Sequence, residues 1–296
     1  MVDDLAQSAN ELVEQRLRII LDDLEKNLSA DVMAFSGGIV YGADTEIRDF
    51  VEWRKKQKPS KTKLAFFLET PGGYIEVAQR IASTFRKHYR RVEFFVPDAA
   101  MSAGTVLVMS GDAIHMDYYS TLGPIDPQLP KSDGVGYVPA LGYLKKFDEL
   151  MKKAAAGGLN TAETTYLCAK FDPAELYQYE HARKMSVFLL EQWLAKYKFR
   201  NWHKTRTHQR KVTPSDRRAR AREIAEKLND TEKWHSHGHG ISLAVLRRDL
   251  KLEIEDFGRS KNRELIRSYW SILTDYMNKM GHRAILHAKG KYRQLA

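Results

Sequence analysis

Two short turns contain the residue types that acyl transfer requires. The glycine pair Gly72-Gly73 follows the apolar run 64–69, and Ser102 follows the apolar run 92–96. A glycine pair lets the backbone approach a substrate and direct N–H groups at a developing oxyanion. A serine at a strand-to-helix turn presents its hydroxyl, and the N–H of the next residue is free at the helix start. Together the turns predict a nucleophile with its oxyanion donors.

The elements around these turns should bring them together. Runs 64–69 and 92–96 are continuously apolar, as in strands buried on both faces, and 113–116 is a candidate third strand. Helical periodicity after each turn makes the pattern strand–helix–strand–helix, which is typical of a parallel sheet. Because parallel strands end at one sheet edge and consecutive strands are usually neighbours, we expect the two turns to face each other.

Other site chemistries have weaker support. No GxGxxG follows a strand and no GxxxxGK[ST] is present, which argues against nucleotide binding. The tract HSHGHG, with His235, His237 and His239, could chelate a metal, but no carboxylate or cysteine cluster accompanies it, so a turn is favoured. We expect neither cofactor nor metal. Serine at a helix start is often only an N-cap, which is the structural alternative for Ser102.

The second half of the chain is mainly helical. Asp172-Pro173-Ala174-Glu175 predicts a helix start, and the helix should run to Lys198 with Met185, Phe188, Leu189 and Trp193 buried. We divide the chain into an N-terminal helix (1–29), a central domain (30–255) that includes a basic linker (198–222), and a C-terminal helix and tail (256–296).

Charge is concentrated in the linker 198–222. The net charge is +10, and this segment has ten Lys/Arg residues against one Asp. It could bind nucleic acid or another polyanion, but a solvated surface segment is favoured because no nucleic-acid-binding fold accompanies it. Cys168 is the single cysteine and excludes an internal disulfide. With no signal peptide and no 18-residue apolar run, we expect a cytoplasmic protein without a membrane span.

Three motifs occur in order: TPGG, VPDAAMSAGT and STLGPIDPQL. They resemble the peptidases of the ClpP/crotonase-like clan, and most nearly the serine dehydrogenase proteinase family, a relative of the signal peptide peptidase A group. The resemblance extends over about residues 30–255. It implies an α/β fold with a ClpP/crotonase-like parallel-sheet core and extra N-terminal and C-terminal helices. It also implies a serine endopeptidase that assembles as a homo-oligomer.

Site residues follow from the matching positions. Ser102 matches the nucleophile of the clan, and Gly73 and Ala103 match the oxyanion-hole residues, with Gly72 beside them. The Ser-His-Asp triad of ClpP would need a histidine near 122–127, where this chain has Asp126 but no histidine. The signal peptide peptidase A relatives use a Ser-Lys dyad, which implies a lysine whose pKa is lowered by burial.

Several residues are candidates for the general base of Ser102. The candidate lysines are Lys145, Lys146, Lys152, Lys153, Lys170 and Lys184. Lys184 is preferred because it shares one helix face with Tyr177, His181 and Phe188, whose rings could partly desolvate it. His181 and Lys153 are the next candidates. A solvated helix lysine is the structural alternative.

Two other functions stay open. A crotonase-like enzyme acting on an acyl-CoA thioester would share the fold and the oxyanion hole without needing Ser102. A non-catalytic scaffold could instead bind polyanions through 198–222. The leading prediction is hydrolysis of peptide bonds by a Ser102–Lys dyad through an acyl-enzyme.

Overall fold

The computed structural model describes residues 8–130, 137–205, 207 and 209–295. Helices and strands alternate in the amino-terminal half, as the apolar patterns predict. The elements there are α1 (Ala9–Leu28), β1 (Asp31–Ser36), α2 (Ala43–Lys56), β2 (Lys63–Glu69), α3 (Ile75–His88), β3 (Arg91–Phe95), β4 (Ala99–Ala100), α4 (Ala103–Val108), β5 (Ala113–Met116), β6 (Thr121–Leu122) and β7 (Gln128–Pro130). The predicted third strand is confirmed as β5.

The second half is mainly helical. Its elements are β8 (Tyr137–Pro139), α5 (Ala140–Ala155), α6 (Thr161–Lys170), α7 (Pro173–Trp193) with a π-helical turn (Leu194–Lys198), α8 (Pro214–Leu228), α9 (Thr231–Trp234), β9 (Ile241–Ser242), α10 (Leu243–Arg248), β10 (Glu255–Asp256) with a 3₁₀ turn (Phe257–Arg259), α11 (Arg263–Lys279), β11 (Ala284–Ala288) and β12 (Lys291–Leu295). Across the described residues, every helix is too short or too polar to cross a membrane.

A seven-stranded sheet organises the molecule, in the order β10-β5-β3-β2-β1-β11-β12. The first five strands of this order run parallel, β11 pairs antiparallel with β1, and β12 pairs antiparallel with β11. A small three-stranded sheet, β4-β6-β9, lies beyond the carboxyl end of β3, and β7 pairs with β8. The predicted α/β fold with a parallel-sheet core is confirmed.

Helices cover both faces of the main sheet, which explains the continuous apolar runs. On β1, Met33 and Phe35 join the core formed with α2, α3, α4, α7 and α8, whereas Val32 and Ala34 join the core formed with α1 and α11. The strand β2 alternates in the same way. A strand buried on both faces has no solvent side to be polar, so its sequence loses the two-residue alternation.

The C-terminal segment differs from the helix and tail expected over 256–296. The helix is present as α11, but the tail is a hairpin, β11–β12, in which Leu286 lies opposite Phe35 of β1. The hairpin covers an edge of β1 that would otherwise be open. Helix α1 packs with α11 on one face of the sheet, and residues 1–7 of the predicted N-terminal helix lie outside the described residues. The division into domains stays a prediction.

Helix α7 begins where its sequence predicts. The Asp172 side chain accepts hydrogen bonds from the backbone N–H groups of Ala174 and Glu175, and Pro173 occupies the first helical position. The predicted burial of Phe188 is wrong, because 52% of this residue is exposed. The helix instead buries Leu189 and its neighbours Leu190 and Trp193.

A buried ion network ties α1 and α2 to β1. Arg54, on α2, is almost wholly buried and lies 2.8 Å from Glu25 Oε1 and 2.9 Å from Asp31 Oδ1. The hydroxyl of Tyr89 donates to the other oxygen of Asp31 at 3.1 Å. Two carboxylates share one guanidinium here, so the cation offsets the cost of burying both charges.

Replacing Arg54 by Met should therefore lower the free energy of unfolding by about 3–5 kcal/mol, because Asp31 and Glu25 lose their shared cation. Urea denaturation at neutral pH measures this. Arg48→Met is the control, because Arg48 pairs with Asp49 on the surface at 2.7 Å, where water screens the charges. Equal effects of the two substitutions would contradict the structural role of the network.

Candidate active site

Ser102 stands at the junction between β4 and α4 in a backbone conformation that few residues adopt. Its φ is 52° and its ψ is −118°, in the positive-φ region that costs a non-glycine residue about 1–3 kcal/mol. The side chain makes no capping hydrogen bond to α4. The N-cap alternative is therefore wrong, and the side chain of this half-buried residue is left for other chemistry.

Hydrogen bonds on both sides fix the turn. Met101 N–H donates to the Thr70 carbonyl and Thr70 N–H donates to the Ala99 carbonyl, both at 2.9 Å. A Cβ built on Gly72 would lie 2.7 Å from Ser102 Cβ. The two predicted turns thus meet at the carboxyl edge of the sheet, and only a glycine fits at position 72.

The backbone N–H groups near Ser102 divide into used and free donors. Gly72 N–H donates to Thr70 Oγ1 at 3.1 Å, so its predicted place among the oxyanion donors is corrected. Within the described residues, the N–H groups of Gly73 and Ala103 have no hydrogen-bond acceptor. Gly73 is exposed and Ala103 begins α4, so these two donors are available to a substrate oxygen.

The predicted bases are all on exposed helix surfaces. The Lys184 side chain is 74% exposed and pairs with Glu180 at 2.9 Å. Lys153 pairs with Glu163 at 2.6 Å, and His181 is exposed beside Tyr177. The aromatic stripe on α7 faces outward in the single chain, so it does not desolvate Lys184.

Burial affects the pKa of one lysine outside this set of candidates. It lowers the pKa of Lys198, at the end of the π-helical turn, whose charged neighbours include Arg91 and Asp112. Arg91 begins β3, and Ser102 follows the carboxyl end of the same strand, so Lys198 belongs to the opposite edge of the sheet. Lys198 is therefore no substitute for the predicted base.

A histidine–carboxylate pair that the sequence does not predict lies beyond β6. Asp126 is completely buried, and His237 Nδ1 lies 2.9 Å from its Oδ1. The residues are 111 positions apart, so no local pattern links them. Another histidine of the tract, His239, contacts the ring of Trp234. In the described part of the chain, no group of three or more metal-binding side chains is present.

The basic linker 198–222 is largely a surface of local ion pairs. Its described residues include the end of the π-helical turn and the first part of α8. Arg210 pairs with Asp216 at 3.0 Å, and Arg222 pairs with Glu226 at 3.0 Å. Acidic neighbours thus offset part of its charge, as expected for a solvated segment.

A cleft of about 540 Å³ lies away from the nucleophile turn, at the other end of the small sheet. Its arginines are already engaged: Arg247 donates to the Ile254 carbonyl, and Arg248 pairs with Asp249 at 2.6 Å. It is lined by Tyr118, Ser242, Leu243, Ala244, Arg247, Arg248, Asp256 and Arg259. Its serine, Ser242, is the N-cap of α10 and accepts the Val245 N–H at 3.5 Å, so Ser102 remains the candidate nucleophile.

The structure is an α/β fold with a mostly parallel sheet, which presents a strained serine turn beside a glycine turn at one edge. Residues 45–154 match the family described as ClpP-like SDH-type serine proteinase. This match covers little more than a third of the chain, and the resemblance predicted from the sequence is confirmed. The segment contains Ser102, Gly73 and Ala103, whereas Lys184 and His237 lie outside it.

Relatives of known sequence come from Methanocaldococcus jannaschii. Its uncharacterized protein MJ0137 is 34% identical over 91 residues, which are 31% of this chain and 30% of that protein. Its uncharacterized protein MJ1495 is 29% identical over 89 residues, 30% of this chain and 28% of that protein. The chain thus spans less than a third of the length of these curated relatives.

Solved structures with some similarity include two variants of the 1510-N membrane-bound stomatin-specific protease. A serine-to-alanine variant is 18% identical, with a TM-score of 0.33, and covers 50% of this chain and 74% of that chain. A lysine-to-alanine variant in complex with a substrate peptide is 14% identical, with a TM-score of 0.45, and covers 89% of this chain and 85% of that chain.

Gly72→Ala tests the close approach of the two turns. The added methyl would overlap Ser102, and the φ of +105° at Gly72 disfavours any side chain, so the free energy of unfolding should fall by about 1–3 kcal/mol. Chemical denaturation measures the change. Gly142→Ala, in the open first turn of α5, should instead stabilise slightly. A stabilising Gly72→Ala would show that the turns do not touch.

Proposed function

We propose that this protein is a serine endopeptidase that hydrolyses peptide bonds with Ser102 as the nucleophile. The observation that supports the proposal is the uncapped Ser102 hydroxyl, in strained backbone, beside the free N–H groups of Gly73 and Ala103. A residue held in such a conformation by its surroundings is characteristic of functional sites. Neither free donor is needed by the fold, so both can serve a substrate.

The reaction passes through an acyl-enzyme. Ser102 Oγ forms a bond to the peptide carbonyl carbon, and the carbonyl oxygen takes up the negative charge opposite Gly73 and Ala103. The C–N bond then breaks and the amine leaves with a proton. Water attacks the resulting ester, releases the acid and restores the Ser102 hydroxyl. Each oxyanion donor is expected to contribute about 3–4 kcal/mol of transition-state stabilisation.

A serine-reactive fluorophosphonate should label the wild-type protein and leave Ser102→Ala unlabelled, as read by intact-protein mass spectrometry. Ser83→Ala is the matched control, because this exposed serine of α3 only donates to the Gln79 carbonyl and its loss should not affect labelling. Equal labelling of the wild type and Ser102→Ala would remove the proposed nucleophile. A crotonase-like thioester enzyme, in contrast, would keep its activity in Ser102→Ala.

A Ser102–Lys184 dyad, in which Lys184 is the general base, would require that copies of the chain assemble. Lys184 would have to leave Glu180 and lose its contact with solvent before it could act as a base. Both changes would follow if a second copy of the chain covered the outward face of α7. The dyad is thus proposed only for a homo-oligomer.

An exposed apolar surface supports the homo-oligomer. Large side chains are exposed on three successive helices, which we call the α5–α7 surface: Met151 on α5, Tyr166 on α6, and Tyr177 and Phe188 on α7. Lys184 and Glu180 lie on the α7 part of it with opposite charges. A surface that combines apolar groups with both signs of charge can complement itself across a two-fold axis. We therefore take a second copy of this chain as its occupant.

Phe188→Glu should convert the assembled protein into monomers, because a buried, unpaired carboxylate opposes the contact. Light scattering coupled to size exclusion at micromolar concentration measures the mass. Tyr118→Glu is the control, since Tyr118 is also highly exposed but lies between β5 and β6, outside the α5–α7 surface. A monomeric wild-type protein would contradict the assembly.

A further inference from the structure

Two segments of the chain carry much positive charge and no acidic residue. Residues 54–63 contain six Lys/Arg and residues 86–91 contain four, and neither segment contains an Asp or a Glu. Together they carry as many positive charges as the net charge of the whole chain, which is +10. The expectation that the charge is concentrated in the linker 198–222 is therefore incomplete.

The fold brings these two segments together at the amino edge of the main sheet, where its parallel strands begin. Residues 54–63 lead from the end of α2 into β2, and residues 86–91 lead from the end of α3 into β3. The strands β2 and β3 pair in parallel from their first residues. The Arg90 N–H also donates to the Thr62 carbonyl at 2.9 Å, so the two segments touch before the strands begin.

Half of these cations have an acidic partner and half do not. The paired cations are Arg54, Lys55, Lys63, Arg86 and Arg91. An acidic neighbour, Glu52 of α2, lies 3.9 Å from His88. The other cations are exposed, and within the described part of the chain none has a carboxylate at ion-pair distance. We call them the amino-edge patch: Lys56, Lys58, Lys61, Lys87 and Arg90.

Interaction with helix ends explains only part of this patch. Cations in the last turn of a helix interact favourably with its negative end, and Lys56 and Lys87 lie in the last turns of α2 and α3. The other three cations, Lys58, Lys61 and Arg90, lie beyond the helix ends. Like charges held close together repel one another. Because no carboxylate pairs with these three, their arrangement favours an anionic partner.

The surroundings of the patch indicate which kind of anionic partner it fits. Both segments are fully described, and neither exposes a large apolar side chain. Their single Phe, Tyr or Trp residue, Tyr89, is buried, with Lys55 Nζ 4.6 Å from its ring centroid. Helices that bind membrane surfaces insert apolar side chains, and protein interfaces have an apolar centre. Single-stranded nucleic acid stacks on exposed rings. The phosphates of a duplex need only cations.

We propose that the amino-edge patch binds double-stranded nucleic acid through its phosphates. This activity is separate from the peptidase function proposed above and does not depend on it. The strand β2 has seven residues, so its start lies about 20 Å from the glycine turn that follows its end. A duplex on the patch therefore leaves the turn that contains Ser102 accessible.

The test is the fluorescence anisotropy of a labelled DNA duplex of about 20 base pairs and mixed sequence, with the full chain, between about 50 and 200 mM NaCl. Five phosphate contacts predict a slope of about −4.5 for the logarithm of the association constant against the logarithm of the salt concentration. Replacing Lys61 and Arg90 by Gln should reduce the slope to about −2.7 and weaken binding at least about tenfold at about 100 mM salt. Replacing Lys58 and Lys87 by Gln should have the same effect, which makes the result independent of one variant.

The matched control replaces Lys279 and Arg283 by Gln, which removes the same two charges at the other edge of the sheet. Lys279 ends α11, and Arg283 precedes β11, in which Ile285 lies opposite Ser36, the last residue of β1. The control should bind the duplex as the wild type does.

Three results would overturn the proposal. The first is equal weakening in the control and the patch variants, which would be a response to net charge alone. The second is a duplex affinity that neither patch variant changes. The third is tighter binding to the single strand, to polyglutamate or to vesicles with about 30% phosphatidylserine than to the duplex, which would assign the patch to another partner. Fluorophosphonate labelling should be the same in all these variants, so a failure of the peptidase proposal is seen separately.

Discussion

The backbone of Ser102 is the constraint on which the site depends. A φ of 52° in a residue with a Cβ is unfavourable by itself, so the surrounding contacts must maintain it. Thr70 does so through two hydrogen bonds to the chain of β4, and Thr105 does so by joining the first turn of α4 to Gly123. In this conformation the serine side chain makes no capping hydrogen bond to α4.

Burial of the main sheet supplies the rigidity that these contacts need. Two helical layers enclose the strands, and the C-terminal hairpin closes the side of β1. The carboxyl ends of β2 and β3 are thereby fixed next to each other, which brings the glycine turn and the serine turn into contact. Gly72 consequently leaves the space that Ser102 needs, because it has no Cβ. The N–H of Gly73 is free to donate to a ligand.

Much of this could be predicted from local patterns. The apolar runs 64–69 and 92–96 indicate strands buried on both faces, and Asp172-Pro173 indicates the start of α7, because each signal is contained in a few adjacent residues. The strands of the tail were missed because the pairing of Leu286 with Phe35 joins distant parts of the chain. The exposed side of α7 was missed because Phe188 and Leu189 are equally apolar, and periodicity alone does not decide which of them meets the core.

The sequence by itself determined the class of fold and singled out Ser102, Gly73 and Ala103 as candidates, since strand ends and small-residue turns are local features that a single stretch of chain encodes. Only the tertiary structure decided which N–H groups are free, that Lys184 faces solvent, and that Asp126 meets His237. The physical reason is that desolvation and hydrogen bonding depend on what surrounds a side chain. Those neighbours come from segments that are far apart along the chain, so the sequence does not show that they are close in space.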